Sequence, residues 1–239
     1  RKPVREAFGI LLYLSITTRP DLCYAIGQLS RHLNNFSPEH WKFTKRLIIY
    51  AKATKQRKLV FNEAKTNMNK ELVLRMYSDA SWASEIPSRK STTGYILFAN
   101  SSVIAYKSTR QSITAMSSAE SEYIAATEAA KALIYHAHLF KSIGFPPTKM
   151  LLMVDSTSCI SISKQPHFRR LRHLQLRYAY LKEKIQEGAI EIQHVKGTEN
   201  PADLFTKPTT TAVHDKLIKL IFKEDSHEKV NPKRHHEPG

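Results

Sequence analysis

Cysteine is scarce in this sequence. Only Cys23 and Cys159 occur among the 239 residues, far apart and without a Cys-x-x-Cys spacing. That count excludes a disulfide framework and a zinc site built on sulfur ligands. We therefore expect both thiols to be small buried groups, and the chain to work in a reducing, intracellular compartment.

Long apolar runs are also missing. The run from Ile10 to Leu14 is interrupted by Ser15, and no run approaches the roughly 20 residues that span a bilayer. We therefore expect no membrane partner. The first residue is Arg1 rather than methionine, so we expect the chain to be a piece of a longer protein.

Acidic residues are few compared with basic ones. The chain has 21 Asp and Glu against 37 Lys and Arg, a formal net charge of +16, on a composition that is 41% hydrophobic. This apolar content is enough to bury a core, so we expect the excess of basic residues to lie on a folded domain. Such a domain attracts polyanions, with nucleic acid first and an anionic membrane surface second.

Residues 1–69 are predicted to form a helical connector. Asp21 can begin one helix, and Ser37-Pro38-Glu39 is a strong start for another, because a serine cap precedes proline at the first helical position. No group of converging polar residues is evident in this part. We predict that it supports the fold or contacts a nucleic acid backbone.

Residues 70–208 alternate between strand and helix patterns, which predicts an α/β domain. The expected strands lie near residues 72–77, 94–99, 102–107, 150–154 and 189–195. A long alanine-rich helix is predicted over about 118–142. Residues 209–222 are predicted to form an amphipathic C-terminal helix, and residues 223–239 a disordered polar tail.

Four acidic residues occupy positions that strand ends and helix starts bring together. Asp79 follows the first predicted strand, Asp155 ends a later one, and Asp203 lies in the last short helix. Glu122 shares a face of the long helix with apolar residues, so we prefer it to Glu120, which we place at the surface. An isolated aspartate after a strand is more often a turn or capping residue. Four carboxylates at one point would repel one another, and Mg²⁺ or Mn²⁺ would relieve that repulsion.

Four motifs follow one another along the chain. They are Tyr77 to Trp82, Arg89 to Tyr95, Ser117 to Ala125, and Asn200 to Pro208. Together they resemble the RNase H domain of copia-type LTR retrotransposon polyproteins. The preceding helical part is similar to the segment that joins the polymerase to RNase H in the same polyproteins. The resemblance covers about residues 3–222.

The resemblance implies an RNase H-like α/β fold, with a five-stranded mixed sheet and helices on both faces. It implies that two Mg²⁺ ions, or Mn²⁺ in their place, are bound by Asp79, Glu122, Asp155 and Asp203. Asp79 would bridge both ions, with Glu122 and Asp155 completing one site and Asp203 the other. The implied reaction is endonucleolytic hydrolysis of the RNA strand of an RNA/DNA hybrid. The implied partner is the rest of the polyprotein, in a cytoplasmic virus-like particle or the nucleus.

Two departures from related enzymes stand out. The Tyr-x-Asp-Asp motif of reverse transcriptase is absent, so we do not expect the chain to polymerise DNA. Cellular RNases H carry a mobile histidine after Val-Lys-Gly, where this sequence has Thr198. His194 precedes that motif, and we do not assign it the histidine's role.

Five basic residues are candidates for contact with nucleic acid phosphates: Arg89, Lys90, Arg169, Arg170 and Arg172. The ordinary alternative for the last three is a solvated, charged helix face. Two alternatives also remain for the whole chain. It is either a catalytically silent, nucleic-acid-binding remnant or a structural connector that is active only when joined to the polymerase portion.

Overall fold

A computed structural model describes most of the chain. The described residues are 3–61, 71–85, 88–164 and 175–222, without the side chains of 175–178. The predicted tail at 223–239 lies outside these ranges, as do Arg169, Arg170 and Arg172. The division of the chain at residues 69, 208 and 222 stays a prediction.

Three α-helices form the N-terminal part, and they pack around a small apolar core. The helices are α1 (Val4–Thr17), α2 (Cys23–Ser30) and α3 (Pro38–Ala53), with a 3₁₀ helix at Pro20–Leu22 before α2. Ser37 caps α3 as predicted, because its hydroxyl accepts a hydrogen bond from the backbone N–H of His40. The helix α2 ends at Ser30. The residues after it turn through i to i+3 hydrogen bonds, as from the Leu33 N–H to the Ser30 carbonyl.

A buried charged cluster joins these helices, so the expectation of no converging polar residues here was wrong. Arg19 donates to both carboxylate oxygens of Asp21, at 2.9 and 2.7 Å. The Tyr50 hydroxyl donates to Asp21 Oδ2 at 2.8 Å, and Arg57 Nη1 lies 3.4 Å from the same oxygen. We call these four residues the Asp21 cluster. Arg19 and Asp21 lie at least 29 residues before Tyr50 and Arg57 in the sequence, and the packing of the α3 region against the 3₁₀ helix brings the two pairs together.

A five-stranded mixed sheet forms the centre of the rest of the molecule. Its strands are β1 (Val73–Ser81), β2 (Thr92–Ala99), β3 (Ser102–Arg110), β4 (Lys149–Val154) and β5 (Glu191–His194). They are arranged in the order β3-β2-β1-β4-β5. The β1, β2 and β3 strands pair antiparallel, whereas β4 lies parallel to both β1 and β5.

Helices cover both faces of this sheet. The remaining helices are α4 (Ser118–Ser142), α5 (Thr157–Lys164), α6 (Gln175–Gln186), α7 (Thr211–Ile221) and 3₁₀ helices at Gly197–Glu199 and Pro201–Phe205. Along β2, Leu97 packs into the core shared with α4, while Ile96 and Phe98 pack into the core shared with α7, because alternate side chains face opposite sides. The predicted fold class, RNase H-like with helices on both faces, is confirmed.

Within the described ranges, no helix is both long enough and apolar enough to cross a membrane.

Candidate metal centre

The structure brings three of the four predicted acids into one cluster. Asp79 lies near the end of β1, Asp155 directly follows β4, and Asp203 lies in the 3₁₀ helix Pro201–Phe205. One carboxylate oxygen from each lies within 4.8 Å of those of the other two. The parallel pairing of β1 with β4 explains this convergence, because the carboxyl ends of parallel strands meet at one edge of the sheet.

Asparagine and threonine side chains hold the 3₁₀ helix of Asp203 against β1. The Asn200 amide donates to the Ser78 carbonyl at 3.0 Å, and its Oδ1 accepts from the Ala202 N–H at 3.1 Å. The Thr206 hydroxyl donates to Asp79 Oδ2. The Asp79 side chain is consequently only 2% exposed and that of Asp203 only 11% exposed.

Gly94 permits this close approach. It lies directly opposite Asp79 in the register of β1 and β2. A Cβ at this position would lie 2.6 Å from Thr206 Cγ2 and 2.7 Å from Phe205 Cβ. The absence of a side chain therefore allows the segment that carries Asp203 to pack onto β2 beside Asp79.

Glu122, the fourth predicted acid, lies on α4 beside the cluster. It is half-buried, and the residues below it on the same helix face, Ala126 and Ala129, are fully buried. Its carboxylate accepts a hydrogen bond from the backbone N–H of Ala80. Burial raises the pKa of Glu122 to about 9, with a further contribution from the negative charges of Asp79 and Asp155. Glu122 therefore belongs electrostatically to the acid cluster.

Glu120 has a different place from the one predicted. It is buried rather than at the surface, with 9% of the residue exposed. Its carboxylate accepts a hydrogen bond from the Met116 N–H at 2.7 Å, while its own backbone N–H donates to the cap residue Ser117 at 3.1 Å. Glu120 closes the start of α4 as half of a capping arrangement, which is why it can be buried without joining the acids.

The carboxylates of the cluster are short of positive charge. Burial raises the pKa of Asp203 to about 7, and the charge of Asp79 adds to this effect. Burial and Asp79 also raise the pKa of Asp155. Asp155 and Asp203 thus hold their protons more tightly than a solvated aspartate, because their ionisation would place a buried negative charge beside that of Asp79.

Sequence reasoning missed a cation that reaches this cluster, the side chain of Lys207. Lys207 Nζ lies 3.0 Å from Asp203 Oδ1 and 3.6 Å from Asp79 Oδ2. Asp203 Oδ1 is buried, and among the described residues no group donates a well-aligned hydrogen bond to it. The ion pair with Lys207 is the polar interaction that this oxygen makes. The charges of Asp79 and Asp203 raise the pKa of Lys207, although burial opposes them. The spacing of four residues from Asp203 was the available signal.

The donor set fits a hard divalent cation. Every group in the cluster that can act as a ligand is a carboxylate oxygen, the type of ligand that Mg²⁺ and Mn²⁺ prefer. Lys207 supplies one positive charge to these acids, and burial together with the neighbouring acids still raises the pKa of Glu122 and of Asp203. The residues present therefore suit a divalent cation.

Of the predicted phosphate-binding residues, Arg89 and Lys90 lie within the described ranges. Both belong to the loop that joins β1 to β2, at the end of β1 where Asp79 lies. Arg89 is exposed and has a left-handed backbone, with φ of 51°. Lys90 Nζ donates to the Ser112 carbonyl at 2.9 Å. Arg89 is thus the more available of the two for a ligand.

The raised pKa of Glu122 predicts how the stability of the metal-free protein depends on pH. Between its ordinary value of 4.5 and its value of about 9 in the fold, the folded protein holds a proton that the unfolded chain has released. The free energy of unfolding should therefore fall as the pH rises through this window. Asp203 acts in the same direction up to its pKa of about 7.

Thermal unfolding in the presence of a chelator tests this pH prediction. The melting temperature should fall between about pH 6 and about pH 8, and the fall should be smaller in Glu122→Gln, which has no proton to lose. Added Mg²⁺ should raise the melting temperature more at the higher pH, because metal binding requires ionised carboxylates. An equal fall in Glu122→Gln and the unaltered protein would contradict the prediction.

Sequence comparison finds relatives among transposon polyproteins. The retrovirus-related Pol polyprotein from transposon TNT 1-94 of Nicotiana tabacum is 34% identical over 206 residues, which cover 86% of this chain and 15% of that protein. The polyprotein from transposon RE2 of Arabidopsis thaliana is 31% identical over 222 residues, which cover 91% of this chain and 15% of that protein. The chain thus spans about 15% of the length of these two relatives.

A relative of another kind matches a shorter stretch. The secreted RxLR effector protein 161 of Plasmopara viticola is 38% identical over 133 residues, which cover 56% of this chain and 90% of that protein. No protein-family model matches the chain.

Solved structures of RNase H domains are also similar. The N-terminal RNase H domain of a Mycobacterium tuberculosis protein gives a TM-score of 0.43 at 12% identity, covering 62% of this chain and 98% of that one. RNase H1 of Halobacterium salinarum gives a TM-score of 0.40 at 19% identity, covering 60% and 98%. Both TM-scores are below 0.5.

Proposed function

Because the chain belongs to the copia-type retrotransposon Pol polyproteins, we propose that it is a ribonuclease H that hydrolyses the RNA strand of RNA/DNA hybrids with divalent cations. One observation carries the proposal. Three carboxylates from separate elements, two of them almost fully buried, converge within 4.8 Å at the end of the central strand. A fold has no structural need to bury acids together against their own repulsion.

The four acids would divide between two cation positions. The charge of Asp79 acts on Glu122, Asp155 and Asp203, and its carboxylate lies within 4.8 Å of those of Asp155 and Asp203. Asp79 would therefore touch both ions, with Glu122 and Asp155 completing one position and Asp203 the other. When bound, a pair of Mg²⁺ or Mn²⁺ ions supplies an activated water and stabilises the leaving oxygen of a phosphodiester.

The protein's own residues fix the ligands and attract the substrate. Thr206 and the Ala80 N–H hold the carboxylates of Asp79 and Glu122 in place through hydrogen bonds. The net charge of +16 favours a polyanionic substrate. Arg89 lies in the loop that joins β1 to β2, at the end of β1 that carries Asp79, and it is exposed, which suits contact with the backbone of a hybrid.

Cleavage of a labelled hybrid tests the proposed function. With Mg²⁺, the protein should cut the RNA strand of a hybrid and leave 3′-hydroxyl and 5′-phosphate ends, and a chelator should stop the reaction. Asp155→Asn should be inactive, because it removes one of the ligands. Glu128→Gln is a matched control on α4, where Glu128 pairs with Lys131 on the surface at 3.0 Å, and it should keep full activity.

The same assay separates the rival functions. Cleavage that persists in Asp155→Asn would contradict the assignment of the site. Hybrid binding without Mg²⁺-dependent cleavage would favour a silent binding module. Activity only in a longer fragment that includes the upstream polyprotein would favour a connector. The rest of the polyprotein as partner, and a virus-like particle or the nucleus as location, belong to the same proposal.

A further inference from the structure

Lys207 occupies the space between two of the acids in the metal-free protein. Its ammonium lies 3.0 Å from Asp203 Oδ1 and 3.6 Å from Asp79 Oδ2. The Lys207 side chain is 40% exposed, whereas those of Asp79 and Asp203 are 2% and 11% exposed. The lysine therefore reaches from solvent onto two buried carboxylates, and its long flexible stem also allows it to withdraw.

The backbone places Lys207 there. Its N–H bonds to the Asp203 carbonyl at 3.3 Å, which keeps the lysine one turn beyond the acid. The preceding residue, Thr206, donates its hydroxyl to Asp79 Oδ2, the same oxygen that Lys207 approaches. Two consecutive side chains thus supply a hydrogen-bond donor and a positive charge to one oxygen of Asp79.

The acids of the cluster differ in their ion pairing: Asp79 and Asp203 lie close to Lys207. Within the described part of the chain, neither Asp155 nor Glu122 has an ion-pair partner within 4.0 Å. Among the described residues, the lysine that reaches the cluster lies closest to Asp203. A divalent ion between Asp79 and Asp203 would meet the ammonium at a few ångströms, where like charges repel strongly. An ion between Asp79, Asp155 and Glu122 would meet Lys207 only at Asp79, from which the ammonium lies farther, at 3.6 Å.

We propose that Lys207 is a built-in cation that competes with a divalent ion for the position between Asp79 and Asp203, and that it swings toward solvent when that ion binds. This inference rests on the proposed function. It makes the two metal positions unequal: the one with Asp155 and Glu122 fills first, and the one with Asp203 fills at higher metal concentration. Lys207 thereby sets the concentration at which the second ion enters.

Mn²⁺ titration without substrate tests this inference. Binding is followed by the electron paramagnetic resonance signal of free Mn²⁺ in the unaltered protein, Lys207→Met, Lys207→Arg and Lys216→Met. The unaltered protein should show one tight and one weak ion. Lys207→Met should tighten the weak ion by about tenfold or more, because a positive charge at this distance is removed. Lys207→Arg keeps the charge and should leave the weak ion weak.

Lys216→Met is the matched control, since Lys216 pairs with the exposed Glu199 at 3.6 Å, and this variant should bind Mn²⁺ as the unaltered protein does. Lys207→Gln replaces Lys207→Met if the latter does not fold. A weak ion that is unchanged or weaker in the uncharged variant overturns the inference while leaving the proposed function intact if the hybrid is still cleaved. Absence of Mn²⁺ binding from all proteins overturns both proposals.

Discussion

Asp79→Asn is expected to lower the rate of hybrid cleavage by about 10³-fold or more. The charge of Asp79 acts on the other three acids, and Asp79 is the proposed ligand of both ions, so its loss should weaken both cation positions. Metal ions contribute several kcal/mol to the stabilisation of the transition state, and each 1.36 kcal/mol corresponds to a tenfold change in rate. Single-turnover cleavage of a labelled hybrid in Mg²⁺ measures the effect.

The stability of Asp79→Asn distinguishes a metal ligand from a structural residue. In chelator, its melting temperature should be no lower than that of the unaltered protein. The substitution removes a buried charge that repels three neighbours, while the asparagine oxygen can still accept the hydrogen bond from Thr206. Loss of both activity and stability would mean that Asp79 mainly holds the fold. Cleavage within tenfold of normal would remove it from the metal centre.

Asp21→Ala is expected to destabilise the protein by about 3–5 kcal/mol, because it leaves the positive charges of Arg19 and Arg57 uncompensated. The Arg19 and Asp21 side chains are 7% and 0% exposed. Arg19 also donates to the Ala51 carbonyl and to Thr54 Oγ1, so the ion pair anchors the 3₁₀ helix to α3. Urea unfolding at fixed pH measures the loss.

Asp215→Ala is the matched control for Asp21→Ala. Asp215 is an exposed acid, 58% accessible, that lies 3.5 Å from His214. Its removal should change the free energy of unfolding by no more than about 0.5 kcal/mol, as is usual for surface sites. A loss below about 1 kcal/mol for Asp21→Ala would show that the Asp21 cluster does not hold the helices together.

Much of the fold and of the acid site could be predicted from the sequence. The long helix spans Ser118–Ser142, as its alanine content and its serine and glycine boundaries indicate. Alternating patterns and short apolar or β-branched runs identified the strands. The expected strand ends indicated Asp79 and Asp155, although Asp79 lies within β1 rather than after it. The apolar face of α4 placed Glu122 toward the sheet. These features depend on residues close together in the chain, where periodicity and capping carry the information.

The rest depends on contacts that local patterns do not encode. Lys207 and Thr206 serve Asp79, which lies more than a hundred residues earlier, and the pattern around them showed only a short helix. Glu120 resembled an ordinary first-turn acid, but the loop before α4 folds back and covers it. Gly94 was seen within a motif, and only strand pairing shows that it faces Asp79.

A crystal soaked in Mn²⁺ would show whether the four carboxylates form a divalent metal centre. Anomalous difference density should show Mn²⁺ in contact with Asp79 and Asp155, and at higher concentration a second ion in contact with Asp79 and Asp203. A map with no Mn²⁺ at these carboxylates, or with Mn²⁺ bound only elsewhere, would mean that the four acids do not form a divalent metal centre.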